Sequence, residues 1–146
     1  VRGGEALDML QAMLSGHSGS LTTVHANSTR DALVRLETLS MMSDVEIPVQ
    51  VARAQVASAI DMIVQLERYS EDGSRKISRI TEILGLDSSG QFESRDIFQC
   101  NLTGKSKDGK LISDLAFTGQ APTFADEPRQ HGMDDRIKLS RKVWQE

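Results

Sequence analysis

The chain has 146 residues, with 17 Lys+Arg against 21 Asp+Glu and a formal net charge of −4. That length fits one domain or part of a larger one, and 38% hydrophobic with 26% charged residues is a globular composition, not a disordered one. The acidic balance argues against non-specific nucleic-acid binding, and the single cysteine, Cys100, excludes an internal disulfide framework and a cysteine-rich zinc site. No apolar run approaches the ~20 residues of a membrane-spanning helix. The first residues, Val1-Arg2-Gly3-Gly4-Glu5, contain no apolar signal-peptide core. The first residue is not Met, and a helical pattern begins at once, so the sequence reads as a segment of a longer protein.

The first ~60 residues have an α/β pattern. Ala6, Met9, Leu10, Met13 and Leu14 form one helical stripe, with Gly16 as the stop. Ser20 to His25, rich in β-branched residues, reads as a strand. Ser28-Thr29-Arg30-Asp31 is a capping box that opens a helix with Leu33, Leu36 and Leu39 inward. Pro48 suits the first turn of a third helix, whose buried stripe is Val49, Ala52, Val56 and Ile60. From Asp61 the period changes to that of strands. Met62, Val64 and Leu66 alternate, and the adjacent Ile63 predicts burial on both faces. Asp72-Gly73 predicts a type I′ hairpin turn, Ser89-Gly90 a second turn and Asp108-Gly109 a third. The strands between them, Lys76 to Leu86, Gln91 to Leu102 and Lys110 to Phe117, make a meander. Asp134 to Glu146 reads as a short charged helix or a frayed tail.

The chemical candidates are few. Gly104-Lys105-Ser106 resembles the end of a P-loop, but the required glycine five residues earlier is Gln99, and a turn follows instead of a helix. It reads as a solvated loop. The sequons Asn27-Ser28-Thr29 and Asn101-Leu102-Thr103 stand without a secretory signal. His17 follows a helix end, and His25 ends the expected strand, where open α/β sheets place ligands. No Cys or acidic ligand set accompanies them for zinc, and no nucleophile elbow is present. Structural histidines are the plain alternative. Arg2-Gly3-Gly4-Glu5, before a helix, suits proximity to an anion.

The stretch Val1 to Met13, then Ser15-Gly16-His17-Ser18-Gly19-Ser20-Leu21-Thr22-Thr23-Val24-His25-Ala26-Asn27-Ser28, resembles the bacterial secretion-superfamily ATPases. The resemblance is strongest to the CpaF type, motor of tight-adherence (Flp) pilus assembly. Type II secretion and type IV secretion or conjugation ATPases are its relatives. It extends through Arg30-Asp31-Ala32-Leu33, Ile60 to Leu66, Ile80-Thr81-Glu82-Ile83, Asp96-Ile97-Phe98 and Phe117-Thr118-Gly119.

That resemblance implies an α/β fold with the C-terminal half of a RecA-like P-loop NTPase domain over 1–67; the turn pattern adds an antiparallel strand subdomain over 68–133 and a short, charged helical tail over 134–146. In the family the Walker B strand ends in Gly-Glu-Val-Arg-Gly. This chain starts at that Val, so the Walker B Glu, the P-loop and the acidic box are expected upstream of it. The family's His box falls on His17 and His25. His25 would lie near the γ-phosphate with Thr23, supported by His17, and Arg2 would link the Walker B turn to nucleotide state. The implied cofactors are ATP and Mg2+. The implied assembly is a homo-hexamer, cytoplasmic and peripheral to the inner membrane, docked on pilus or secretion platform proteins without nucleic acid. Alone, the segment is not expected to hydrolyse ATP. A conjugation or type IV secretion ATPase is the alternative within the superfamily, and a non-catalytic oligomerisation or docking module is the alternative outside it. An unpaired edge at Ser20–His25 is expected to promote self-association.

Overall fold

The computed structural model describes residues 1–17 and 19–133. The expected tail, 134–146, lies outside the described residues. The elements are α1 (Glu5–Leu14), α2 (Thr29–Ser40), α3 (Val49–Ala59), β1 (Met62–Arg68), β2 (Arg75–Leu86), β3 (Phe92–Lys105), β4 (Leu111–Phe117) and a single turn, α4 (Glu127–Gln130). The strands follow one another in a single sheet of order β1-β2-β3-β4, the meander the turn spacing predicted. Two compact units divide the chain: Val1–Ile63 with Ile83–Ser94, and Val64–Glu82 with Arg95 onward.

The first unit is built by local signals. Ser28 caps α2, its hydroxyl accepting from Asp31 N at 3.1 Å, which satisfies one of the donors a helix start leaves free. Pro48 is the N-cap of α3, one position earlier than its first turn. The three helices pack on one another around Leu10, Leu33, Leu36, Val56 and Ile83. Val1, Met9, Val24, Ile60, Ile63 and Phe92 close over that cluster. The predicted stripes are buried at Ala6, Leu10, Leu33, Leu36, Leu39, Ala52 and Val56. They fail at their ends: Leu14 and Val49 are exposed, and Leu7 is buried instead.

A polar clamp ties α2, α3 and the β2–β3 turn together. Glu37, buried within the α2 stripe, accepts from Arg53 Nε at 2.7 Å and Nη2 at 3.2 Å. Arg53 Nη1 reaches the Gly90 carbonyl at 3.2 Å, and its guanidinium stands 6.0 Å from the Phe92 ring centre.

Three sequence expectations are corrected here. Residues 19–27 contain no strand. β-branched residues favour extended backbone, but a strand exists only through a ladder partner. Thr23 O in this stretch accepts from the Val1 backbone nitrogen at 2.8 Å. Second, β1 is not buried on both faces: Val64 and Leu66 are exposed, as suits a strand at the sheet edge. Third, the Asp72-Gly73 turn is not type I′. Only Gly73 has positive φ, and the loop is longer, closed by Tyr69 N to Ser74 O and Gly73 N to Tyr69 O, both at 2.9 Å.

Asp72 serves that turn with its side chain. Oδ1 accepts from Ser74 N at 2.9 Å and Oδ2 from Leu111 N at 2.7 Å, which joins the β1–β2 turn to the start of β4. The Ser74 hydroxyl, the Leu111 amide and the Ser74 amide hold its carboxyl down from 3.8 to about 2. A depressed carboxylate contributes stability that is complete above its unfolded value and is lost as pH falls through the folded one. The stability difference between the wild type and Asp72→Asn is therefore expected to be constant above pH ~4 and to shrink toward pH ~2. Denaturant titrations across that range check it; a difference independent of pH contradicts it.

In the second unit, Phe98 faces Phe117 across the β3–β4 ladder, ring centres 5.7 Å apart, and Ile97 is fully buried. Thr81 Oγ1 and Arg79 Nη1 both donate to Asp96, at 2.7 and 2.5 Å. Gly104 falls at an irregularity of that ladder, and Ser106 Oγ accepts from Lys110 N at 3.1 Å in the turn beyond. The P-loop look-alike is thus a hairpin end.

Candidate functional site

The turn Arg2–Glu5 is shaped by its glycines. A Cβ on Gly4 would stand 2.8 Å from Met42 O and 2.8 Å from Ser43 Cα, so the α1 start lies directly on the backbone that follows α2. Both contacts are backbone and cannot rotate away. Gly4→Ala is expected to cost roughly 1–3 kcal/mol. Gly4 has φ −59, so the penalty is steric and not conformational. Thermal unfolding measures it, and unchanged stability contradicts the close approach.

The bond from the Val1 backbone nitrogen to Thr23 O sets this turn alongside the extended stretch that runs into His25. Val1 and Val24 pack onto the same core cluster, which fixes the two segments from beneath. Arg2, Thr23 and His25 all have exposed side chains. His17 is exposed beyond the end of α1, and its carbonyl accepts from Ser20 Oγ at 2.8 Å. Among the described residues no hydrogen bond or ion pair engages the side chains of Arg2, His17 or His25. The N-cap of α2, Ser28, lies three residues after His25. The structure thus brings the Arg2 turn next to Thr23; among the described residues no hydrogen bond links His17 to His25.

The exposed Arg2 guanidinium and the exposed His17 and His25 imidazoles are each donors of a kind that suits phosphate oxygens. Magnesium is a different matter. Among the described residues no three His, Cys, Asp or Glu side chains gather into a group that could hold a metal ion. An open groove of about 430 Å³ lies between α1 and α3, lined by Leu14, Gln50, Val51, Ala54, Gln55 and Ser58. It contains none of the candidate residues.

The profile of the Type II/IV secretion system protein family matches residues 1–119. The chain belongs to that family. This secretion-family chain is 44% identical to the type IV secretion system protein PtlH of Bordetella pertussis over 85 residues, 57% of this chain and 24% of that protein. It is 37% identical over 87 residues to the conjugal transfer protein TrbB of Rhizobium radiobacter, covering 60% of this chain and 24% of TrbB. The crystal structure of the VirB11 ATPase from the Brucella suis type IV secretion system, in complex with sulphate, superposes with a TM-score of 0.51 at 31% identity. That likeness covers 55% of this chain and 25% of VirB11. The chain spans about a quarter of the length of the relatives it matches. These relatives carry the names of type IV secretion and conjugal transfer; none of them supports the narrower resemblance to tight-adherence pilus motors. No helix among the described residues is long and apolar enough to cross a membrane.

Sequence reasoning picked out Arg2, His17, Thr23 and His25, and named Glu5 only as the last residue of the Arg2-Gly3-Gly4-Glu5 turn. Its carboxylate instead turns back onto the amides of Arg2 and Gly3. A carboxylate three residues after an exposed amide was the available signal, as in a capping box.

Proposed function

We propose that this chain is part of a type IV secretion or conjugation ATPase, a hexameric motor that couples ATP hydrolysis to export. In this reading residues 1–67 are the C-terminal half of a RecA-like core. His25 and Thr23 meet the nucleotide's phosphates, His17 supports the His25 segment, and Arg2 ties the opening turn to nucleotide state. Magnesium would neutralise charge on the nucleotide's phosphates; no ligand for it is assigned among the described residues. The observation that supports the reading best is the Val1–Thr23 bond, which sets the Arg2 turn beside the His25 segment on a family-matched stretch. Phosphoryl transfer is mostly positioning and charge stabilisation, which is what free guanidinium and imidazole donors supply. Loss of a phosphate contact at His25 on hydrolysis would be felt at once by α2, which gives the motor a two-state element. Docking on inner-membrane platform proteins from the cytoplasmic side completes the proposal.

The test takes the protein at the length of its relatives. It should hydrolyse ATP and run as a hexamer by light scattering. Deleting its gene should abolish substrate export or DNA transfer. Loss of surface pili alone would favour the tight-adherence pilus motor instead. A protein that forms the ring but neither binds nor hydrolyses ATP would leave the docking-module reading in its place.

A further inference from the structure

The opening turn holds an arrangement that the ATP reading does not use. Glu5 is the first residue of α1, and its carboxylate folds back over the turn before it. Oε1 accepts from Arg2 N at 2.7 Å and from Gly3 N at 3.1 Å. On the other side, Ala6 N donates to Gly3 O and Leu7 N to Gly4 O, both at 3.1 Å. The turn is thus held from two directions, its amides by the Glu5 carboxylate and its carbonyls by the helix. Gly3 leaves the carboxylate room, since a Cβ there would stand 3.0 Å from Glu5 Oε2. Gly4 is pressed against the 42–43 backbone. With those contacts made, the side chain that leaves the turn free and exposed is Arg2.

We propose that Glu5 is a positioning residue, whose carboxylate fixes the backbone of Arg2–Gly4 and so aims the Arg2 guanidinium at the nucleotide's phosphates. This rests on the ATP reading above. Hydrogen bonds to an ionised acceptor are roughly twice as strong as neutral ones, and the positive end of α1 favours a carboxylate at this place. The Arg2 amide, first among several backbone donors, holds the Glu5 carboxyl below its ordinary value, so it is ionised at neutral pH. A misplacement of about 1 Å in a phosphate-binding group is enough to cost up to ~10²-fold in rate, so a residue that touches no substrate has leverage here.

The experiment measures kcat and KM for ATP in the ATPase that carries this segment, for Arg2→Ala, Glu5→Ala, Glu5→Gln and the two Glu5 variants combined with Arg2→Ala. Arg2→Ala is expected to lower kcat. Glu5→Ala is expected to lower kcat about tenfold with KM nearly unchanged. Glu5→Gln, which keeps an oxygen acceptor for the two amides, should recover part of the loss. In the Arg2→Ala background neither Glu5 variant should lower kcat further. If the effects of Glu5 and Arg2 multiply, Glu5 acts independently of Arg2 and the proposal is overturned while the ATP reading stands. If Arg2→Ala leaves kcat unchanged, the role of Arg2 in the ATP reading fails, and the proposal fails with it. Thermal unfolding of each variant guards against a folding defect. Should Glu5→Ala not fold, Glu5→Gln with and without Arg2→Ala decides the question.

Discussion

Glu82→Ala is expected to destabilise the second unit by roughly 3 kcal/mol. The Glu82 side chain is 4% exposed and serves three donors at once. Oε2 accepts from Arg95 Nη2 at 2.7 Å, and Oε1 accepts from Thr123 N at 2.9 Å and from Thr123 Oγ1. Burial pushes the carboxyl up, but the bonds from Thr123 and Arg95 outweigh it and the net shift is downward. Alanine would leave the Arg95 guanidinium, 26% exposed, without its counter-charge, beside an Nε that already has no acceptor among the described residues. It would also release the stretch after β4, which Thr123 anchors to β2 across 41 positions of sequence. Removing one member of a buried pair is far costlier than never having made the pair. Glu82→Gln, which keeps the shape and loses the charge, should cost less. Chemical denaturation gives the size of the effect, and amide exchange at Thr123 gives its location. An alanine variant within about 0.5 kcal/mol of wild type, with Thr123 still protected, would contradict this role for Glu82.

His25→Ala carries the other large expectation, on turnover instead of stability. His25 is exposed, lies outside every helix and strand, and makes no hydrogen bond or ion pair among the described residues. Truncating such a side chain removes no packing and leaves no buried group unpaired, so folding should change by less than about 0.5 kcal/mol. A donor aimed at developing phosphate charge is worth about 10²–10³ in kcat. The combination of a large kinetic effect with a negligible stability effect is what separates a phosphate contact from a structural histidine.

The sequence made local features legible and left non-local ones hidden. The Ser28 cap, the turn glycines Gly73, Gly90 and Gly109, and the strand meander follow from the backbone preferences of a few adjacent residues. Helix faces were legible in their middles and not at their ends: Leu14 and Val49 continue the pattern past the point where a neighbouring helix covers it. The stretch 20–25 has strand composition, but pairing is decided by what lies beside it, which composition does not contain. Glu37 looks like a surface position on a helix until Arg53, 16 residues later, is known to reach it. Glu82 and Thr123 are farther apart still. For the candidate site, the residue types at Arg2, His17, Thr23 and His25 were readable, and so was the family. The Val1–Thr23 bond that sets two of these segments together was not, because the two residues are 22 positions apart.

The central claim is that the His25 segment acts on nucleotide phosphate. The most direct test is steady-state ATP turnover of the ATPase that carries this segment, wild type against His25→Ala, with nucleotide affinity and hexamer formation measured on the same preparations. The account predicts a fall in kcat of ~10²-fold or more with affinity and ring retained. Unchanged turnover in an intact hexamer would contradict it and would make this part of the chain scaffold and interface.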